Sequence, residues 1–321
     1  MRKKKGSVVD GWLILDKPRG MTSTDAVNRV KRLFQAQKAG HAGTLDPLAT
    51  GILPIAFGEA TKTVPFVVDG QKHYRFTVTW GSETDTDDSE GQTVRRSDER
   101  PSRADIESAL LEFRGEIQQV PPQFSAVKVA GARAYDLARD GESFALAART
   151  VLVRRLDIAN VPFADTCIFD AFCGKGTYIR SLARDIGRRL GCFGHVTELR
   201  RVSVGALDLD SAISLDKLEE LGHSAPGREG LRSVLRPVEA ALDDIPALSV
   251  STSDAARLRR GQAILIRGAT APILTGPAYA MSHGALVAVG EVRQGEFHPA
   301  RVFNLSERQG GPPSIGSMIE D

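Results

Sequence analysis

The stretch 177–190 most constrains what this chain can fold into. Ile179, Leu182, Ile186 and Leu190 recur at helical spacing and mark a core stripe, while Arg180, Arg184 and Arg188 fall at i, i+4 and i+8 on another face. Its flanks are β-like: 151–172 reads as two strands about a turn at Pro162, and 195–209 as another strand. That order departs from the repeating strand–helix alternation of a doubly wound parallel sheet. Elsewhere, 11–16 (Gly-Trp-Leu-Ile-Leu-Asp) reads as a buried strand. Pro18-Arg19-Gly20 then turns the chain, and Thr22 or Ser23 caps a helix carrying Ala26, Val27, Val30 and Leu33. From 40 to 58, Gly40, Gly43, Gly51, Gly58, Pro47 and Pro54 among small residues indicate a backbone held close to something. Alternation over 73–80 predicts a strand, 81–91 a polar loop, and 102–112 a helix with Ile106, Ala109 and Leu110 inward.

Residues 210–245 read as helical. After Pro246 short alternating stretches at 247–251, 263–268, 276–281 and 285–304, the last turning at Gly295, predict a small β-rich unit behind a linker. The final residues, with Gly310-Gly311-Pro312-Pro313, read as a disordered tail.

The chain has no apolar run near the roughly 20 residues a bilayer span needs, and Met1-Arg2-Lys3-Lys4-Lys5 precedes no signal-type apolar stretch. Cys167, Cys173 and Cys192 form no CxxC pair, so reduced thiols in a cytosolic compartment are expected. A formal charge of +2 says little, but the basic residues cluster at 2–5, at Arg149 with Arg154-Arg155, at 180–189, at Arg200-Arg201, and at Arg257 with Arg259-Arg260. Clusters of that kind suit a polyanionic partner better than the net charge suggests.

Three motifs fall short of the chemistry they resemble. Gly174-Lys175-Gly176-Thr177 lacks the Gly-Lys-Ser/Thr order of a P-loop, and position 170 is Asp where that loop needs glycine. Asp85-Thr86-Asp87-Asp88-Ser89-Glu90-Gly91 has its glycine one place late for a calcium loop, with Arg96 where a bidentate Glu belongs. Six scattered histidines give no zinc spacing, so no metal is expected. The Gly-rich turn at 170–176 is also how S-adenosylmethionine-dependent methyltransferases often begin, which keeps an RNA methyltransferase as a rival reading.

The strongest local signal is Gly40-His41-Ala42-Gly43-Thr44-Leu45-Asp46-Pro47-Leu48-Ala49-Thr50-Gly51. Taken alone, its Asp-Pro reads as a turn in which Asp46 caps backbone amides. It does not stand alone. In order along the chain follow Gly58-Glu59-Ala60-Thr61-Lys62, Lys72-His73-Tyr74-Arg75, Gly81-Ser82-Glu83-Thr84-Asp85-Thr86-Asp87-Asp88, Pro121-Pro122-Gln123-Phe124-Ser125-Ala126-Val127-Lys128, Lys175-Gly176-Thr177-Tyr178-Ile179-Arg180 and Leu199-Arg200-Arg201. This set resembles the TruB-type tRNA pseudouridine synthases over most of the chain.

The resemblance implies an α+β fold: a catalytic domain over 1–240 on a mixed, largely antiparallel sheet, a small β-barrel PUA-like RNA-binding domain over 246–306, and a tail over 307–321. It implies that Asp46 is the essential carboxylate, Arg180 its partner, and Tyr74 the platform that stacks on the target base. His41 would help hold the target loop open, Tyr178 and Leu199 would line the base pocket, and Lys62, Asp88 and Lys128 would lie near the active site or the RNA. Ala132 stands where many relatives carry a basic residue, and Gly194 is a second small departure. The implied activity is conversion of uridine 55 in the T-arm of tRNA to pseudouridine, by a cytoplasmic monomer without cofactor, metal or membrane. The isomerisation breaks a C–N bond and makes a C–C bond to the same base, so one ionised carboxylate suffices and no imported group is needed. The remaining rival on the same scaffold is a non-catalytic RNA-binding or RNA-folding protein.

Overall fold

The computed structural model describes residues 6–129, 131–142, 144–223, 228–266 and 274–305. The 307–321 tail and the basic 2–5 cluster lie outside them. In chain order the framework comprises strand β1 (Gly11–Lys17), helix α1 (Ser23–Leu33), strands β2 (Thr50–Phe57) and β3 (Lys72–Trp80), and helix α2 (Arg103–Leu110). Strands β4 (Gly115–Gln119), β5 (Arg149–Phe163) and β6 (Thr166–Cys173), helix α3 (Ile179–Arg189) and strand β7 (Gly194–Val204) follow. The strands lie side by side in the order β1-β2-β7-β3-β6-β5-β4, with the short Ile213–Ser214 strand outside β1. Two neighbouring pairs are parallel, β2 with β7 and β1 with Ile213–Ser214, and the others are antiparallel. The fold is thus α+β on a mixed, largely antiparallel sheet.

β1 shows why its sequence is apolar throughout. Successive strand side chains point to opposite faces. Leu13 and Leu15 enter one core with α1, α3, Phe76 and Phe169, while Trp12 and Ile14 enter a second core on the far face. Helix α1 begins where Thr22 accepts a hydrogen bond from the Asp25 amide at 3.1 Å, so Thr22 rather than Ser23 is the cap. Gly194, the departure at the head of β7, has a packing cause. A Cβ there would stand 2.7 Å from the Trp80 ring, inside any normal contact.

Three expectations are corrected. Residues 50–57 form a buried inner strand, which Gly51 and Pro54 disguise; Pro54 sits opposite Ile14, and its carbonyl accepts the Ala42 amide at 2.9 Å. The turn expected at Pro162 lies two residues later, at 164–165, and Pro162 falls in a register break of β5 beyond its pairing with β4. The polar loop 81–91 starts on the short strand Ser82–Thr84, which pairs with Thr93–Arg96.

The C-terminal unit comprises β8 (Ala247–Ser249), α4 (Thr252–Arg259), β9 (Ile264–Leu265), β10 (Gly276–Ser282), β11 (Ala285–Arg293) and β12 (Glu296–Val302). Its strands curl in the order β8-β10-β11-β12-β9, a half-barrel of the PUA-like kind, around Leu258, Val287, Val292 and Phe297. It does not hang on a linker. Leu286, Val289 and Phe303 share the second core with Trp12, Ile14 and Ile52 of the central sheet.

Candidate active site

Asp46 lies on the loop between the short strand Ala39–His41 and β2. The loop is fixed from several sides. The Ser23 hydroxyl accepts the Leu45 amide at 2.8 Å and donates to the Leu45 carbonyl at 3.0 Å. The Gly20 amide donates to the Pro47 carbonyl at 2.8 Å, and the Ala49 amide closes a turn onto Asp46 O at 3.1 Å. The Asp46 side chain stays 34% exposed, enough for a ligand to reach it.

Facing it is Arg180, in the first turn of α3. Its side chain is 4% exposed and reaches three places at once: Nε donates to Asp46 Oδ2 at 2.8 Å, Nη1 to the Thr86 carbonyl at 2.7 Å, and Nη2 to the Phe124 carbonyl at 2.9 Å. Buried Asp88 stands 3.6 Å from the same Nε. Burial alone would depress the guanidinium, but Asp46, Asp88 and Asp87 outweigh it and hold its pKa above the ordinary value. The start of α3 is held by Gln119, whose carboxamide accepts the Tyr178 amide at 2.8 Å and donates to the Tyr178 carbonyl at 3.0 Å.

The arginine stripe of α3 docks onto the acidic 83–88 segment. Arg184 pairs with Asp87 at 2.9 Å and Arg188 with Glu83 at 2.7 Å, completing a ladder that begins at Asp88 and Arg180. Arg189 pairs with Glu112, and Arg200 with Asp16. Part of the basic cluster at 180–189 is thus paired with carboxylates inside the fold, with Arg188 and Arg189 still open to solvent. Arg149, Arg154, Arg259 and Arg260 remain exposed.

Tyr74, half-buried on β3, packs against the main core. Burial pushes its phenol up, and the Arg201 guanidinium beside it opposes that shift by charge and hydrogen bonding. His41 ends the Ala39–His41 strand with Nδ1 buried and without a hydrogen-bond partner among the described residues, and burial followed by the Arg201 charge lowers its pKa, favouring neutral imidazole. Leu199 on β7 is buried, and its carbonyl accepts the Thr50 hydroxyl at 3.4 Å. Burial likewise pushes the Tyr178 phenol up.

Asp46, Arg180 and Asp88 are thus brought into one network, and the Arg201 charge acts on both Tyr74 and His41. Lys128 is exposed on the short strand Lys128–Val129, beyond the Phe124 carbonyl that holds Arg180. Lys62 stands apart: it donates to Glu59 at 2.6 Å and to the Val302 carbonyl at 2.7 Å, and lies over the Phe303 ring, tying the C-terminal unit down. Gln119 was not named from the sequence, and Ser23 and Arg201 were named only as a helix-cap candidate and as part of a basic cluster and motif, not as site residues.

Two buried lysines lie near this site. Lys17 donates to the Pro18 and Met21 carbonyls at 2.8 and 2.7 Å, and Lys72 to those of Gly70 at 2.6 Å and Val68. Burial lowers both ammonium groups to about 8. Between there and the ordinary 10.5 the unfolded chain holds protons that the folded chain has released, so this contribution to stability rises with pH across that window. Urea unfolding at pH 8, 9 and 10 should show the rise in the wild type and a flatter slope in Lys17→Met and Lys72→Met; equal slopes in all three would refute it.

Among the described residues no group of three or more His, Cys, Asp or Glu side chains is placed to hold a metal ion. The glycine turn after β6 does not open a parallel crossover, since both sheet neighbours of β6 are antiparallel to it. The sequence pattern of the TruB family pseudouridylate synthase N-terminal domain matches residues 31–179, and that of the tRNA pseudouridylate synthase B C-terminal domain matches 180–243. A tRNA pseudouridine synthase B of Nitrobacter winogradskyi is 58% identical over 309 residues, 96% of this chain and 86% of the relative.

The chain belongs to the TruB family.

A second TruB relative, from Brucella ovis, is 50% identical over 316 residues, covering 94% of this chain and 98% of its own length. Among solved structures, a Cbf5-Nop10-Gar1 complex matches with a TM-score of 0.71 at 26% identity, over 92% of this chain and 85% of that one. Like the rest of the TruB family, the protein is a pseudouridylate synthase, an isomerase. No helix among the described residues is long and apolar enough to cross a membrane.

Proposed function

We propose that this TruB-family chain isomerises uridine 55 in the T-arm of tRNA to pseudouridine, working in the cytoplasm as a monomer without a cofactor. The observation that carries the reading is a partly exposed Asp46 carboxylate held at 2.8 Å by an almost wholly buried Arg180. Arg180 orients the carboxylate through its bond to Oδ2, leaving the other oxygen free to act on the nucleotide. Taking the base out of its stack costs a few kcal/mol. Stacking on Tyr74 returns roughly 1–3 kcal/mol of that. Tyr178 and Leu199 wall the base pocket, neutral His41 holds the emptied loop, and Asp88 steadies Arg180 from behind. Lys128 serves the RNA from the rim, and Lys62 supports the RNA surface through the C-terminal unit. The C1′–N1 bond breaks, C1′–C5 forms, C5 gives up its proton to solvent and the freed N1 takes one up.

The test uses a T-arm stem-loop labelled with tritium at uridine C5. One equivalent of label should be released per RNA, and none when the uridine at position 55 is replaced by cytidine. Undiminished release from the replaced RNA would place the reaction at another uridine.

A further inference from the structure

The loop that carries Asp46 rests on a buried cation that forms no ion pair with a carboxylate among the described residues. Arg201, on β7, is 1% exposed. Its guanidinium donates from Nε to the Ile52 carbonyl at 2.7 Å, from Nη2 to the Gly43 carbonyl at 3.0 Å, and from Nη1 towards the Thr44 carbonyl at 3.5 Å. Gly43 and Thr44 precede Asp46 and Ile52 follows it, so one side chain ties both limbs of the loop together. Among the described residues Arg201 makes no ion pair with a carboxylate. Burying a cation on those terms costs stability, and a site that needed only packing would be better served by an apolar side chain.

The backbone is shaped around this arginine. Gly51 has φ +96°, and a Cβ there would lie 2.2 Å from the Arg201 carbonyl oxygen. Gly43 has φ +101°, and its Cβ would touch Arg201 Nη1 at 3.4 Å. The guanidinium also acts on the Tyr74 phenol by charge and hydrogen bonding, opposing the upward push of burial.

Resting on the assignment of Asp46 above, we propose that Arg201 is a positioning residue for the isomerisation, its hold on the Gly43 and Thr44 carbonyls of the loop and on Ile52 at the head of β2 fixing the depth at which the Asp46 carboxylate meets the target nucleotide. A lysine ammonium is a point charge on a flexible stem and does not reproduce the planar fork. Misplacing a reacting group by about 1 Å costs on the order of a hundredfold in rate.

Full-length Arg201→Lys and Arg201→Gln proteins are compared with wild type in single-turnover tritium release from T-arm RNA. RNA affinity by filter binding and hydrogen–deuterium exchange are measured alongside. Both variants should lose about a hundredfold in rate. They should keep their affinity and exchange faster over 42–50 alone. Gly43→Ala, which strains the backbone at φ +101° on the limb that Arg201 holds without altering charge, should give the same split even if the Arg201 variants fold poorly. A wild-type rate in Arg201→Gln, rescue by lysine, or a rate loss accompanied by lost affinity and faster exchange throughout the chain would each overturn the proposal. So would a wild-type rate in Gly43→Ala. Asp46→Asn is run in parallel: if it turns over normally the reading of Asp46 fails, whereas an inactive Asp46→Asn beside an active Arg201→Gln sinks the positioning role alone.

Discussion

Asp46→Asn protein should release tritium from C5-labelled tRNA at least about 10⁴-fold more slowly than wild type, as losses of a reacting side chain generally do. The substitution keeps the shape and removes the charge. Little else in the site depends on that charge, because Arg180 keeps the Thr86 and Phe124 carbonyls at 2.7 and 2.9 Å and Asp88 at 3.6 Å. Asp46 is also partly exposed, so its loss leaves no orphaned charge deep in the core. RNA affinity and the urea midpoint should therefore stay at wild-type values, which separates this variant from a misfolded one. Turnover close to wild type would remove the carboxylate from the chemistry.

Arg180→Lys should damage both rate and stability. The rate should fall about 10²–10³-fold, the usual effect of losing one preorganised charged donor. Stability should fall by about 1–3 kcal/mol, since lysine keeps a charge near Asp88 but leaves buried acceptors of the fork unsatisfied. Two carbonyls that accept from the fork, Thr86 and Phe124, lose their donors as well. An ammonium on a shorter reach serves one of these acceptors at a time. Single-turnover release and urea unfolding measure the two losses. An active Arg180→Lys protein with a lowered urea midpoint would make Arg180 a structural strut that happens to lie beside Asp46.

Periodicity and motif carried the sequence reading a long way, and both stop for physical reasons. The Ile179–Leu182–Ile186 stripe of α3 is buried as its spacing requires, because that spacing is a local property of one helix. The destination of the arginine stripe on the same helix is not local. Arg184 meets Asp87 and Arg188 meets Glu83 from about a hundred positions away in the chain, and a charged stripe looks alike whether it faces phosphates or carboxylates. β2 went unseen because Gly51 and Pro54 lower strand propensity, while neighbours on both sides impose the pairing. Asp46 was legible through its company of motifs. The side chains that hold its surroundings, Ser23, Gln119 and Arg201, work by bonding to backbone groups, which every residue carries and no motif records.

The common core beneath Trp12, Ile14, Leu286, Val289 and Phe303 also bears on how an RNA is gripped. A unit joined by a loose tether would sample many orientations, and a ligand touching both halves would forfeit entropy in freezing them. Here the half-barrel shares a core with the sheet that supports Asp46, so little of that entropy should be forfeited. With Asp46 as the reacting group, as proposed, the distance from the half-barrel to its carboxylate would act as a ruler of one length, and an RNA arm whose uridine falls short of that length, or beyond it, would be bound without being modified.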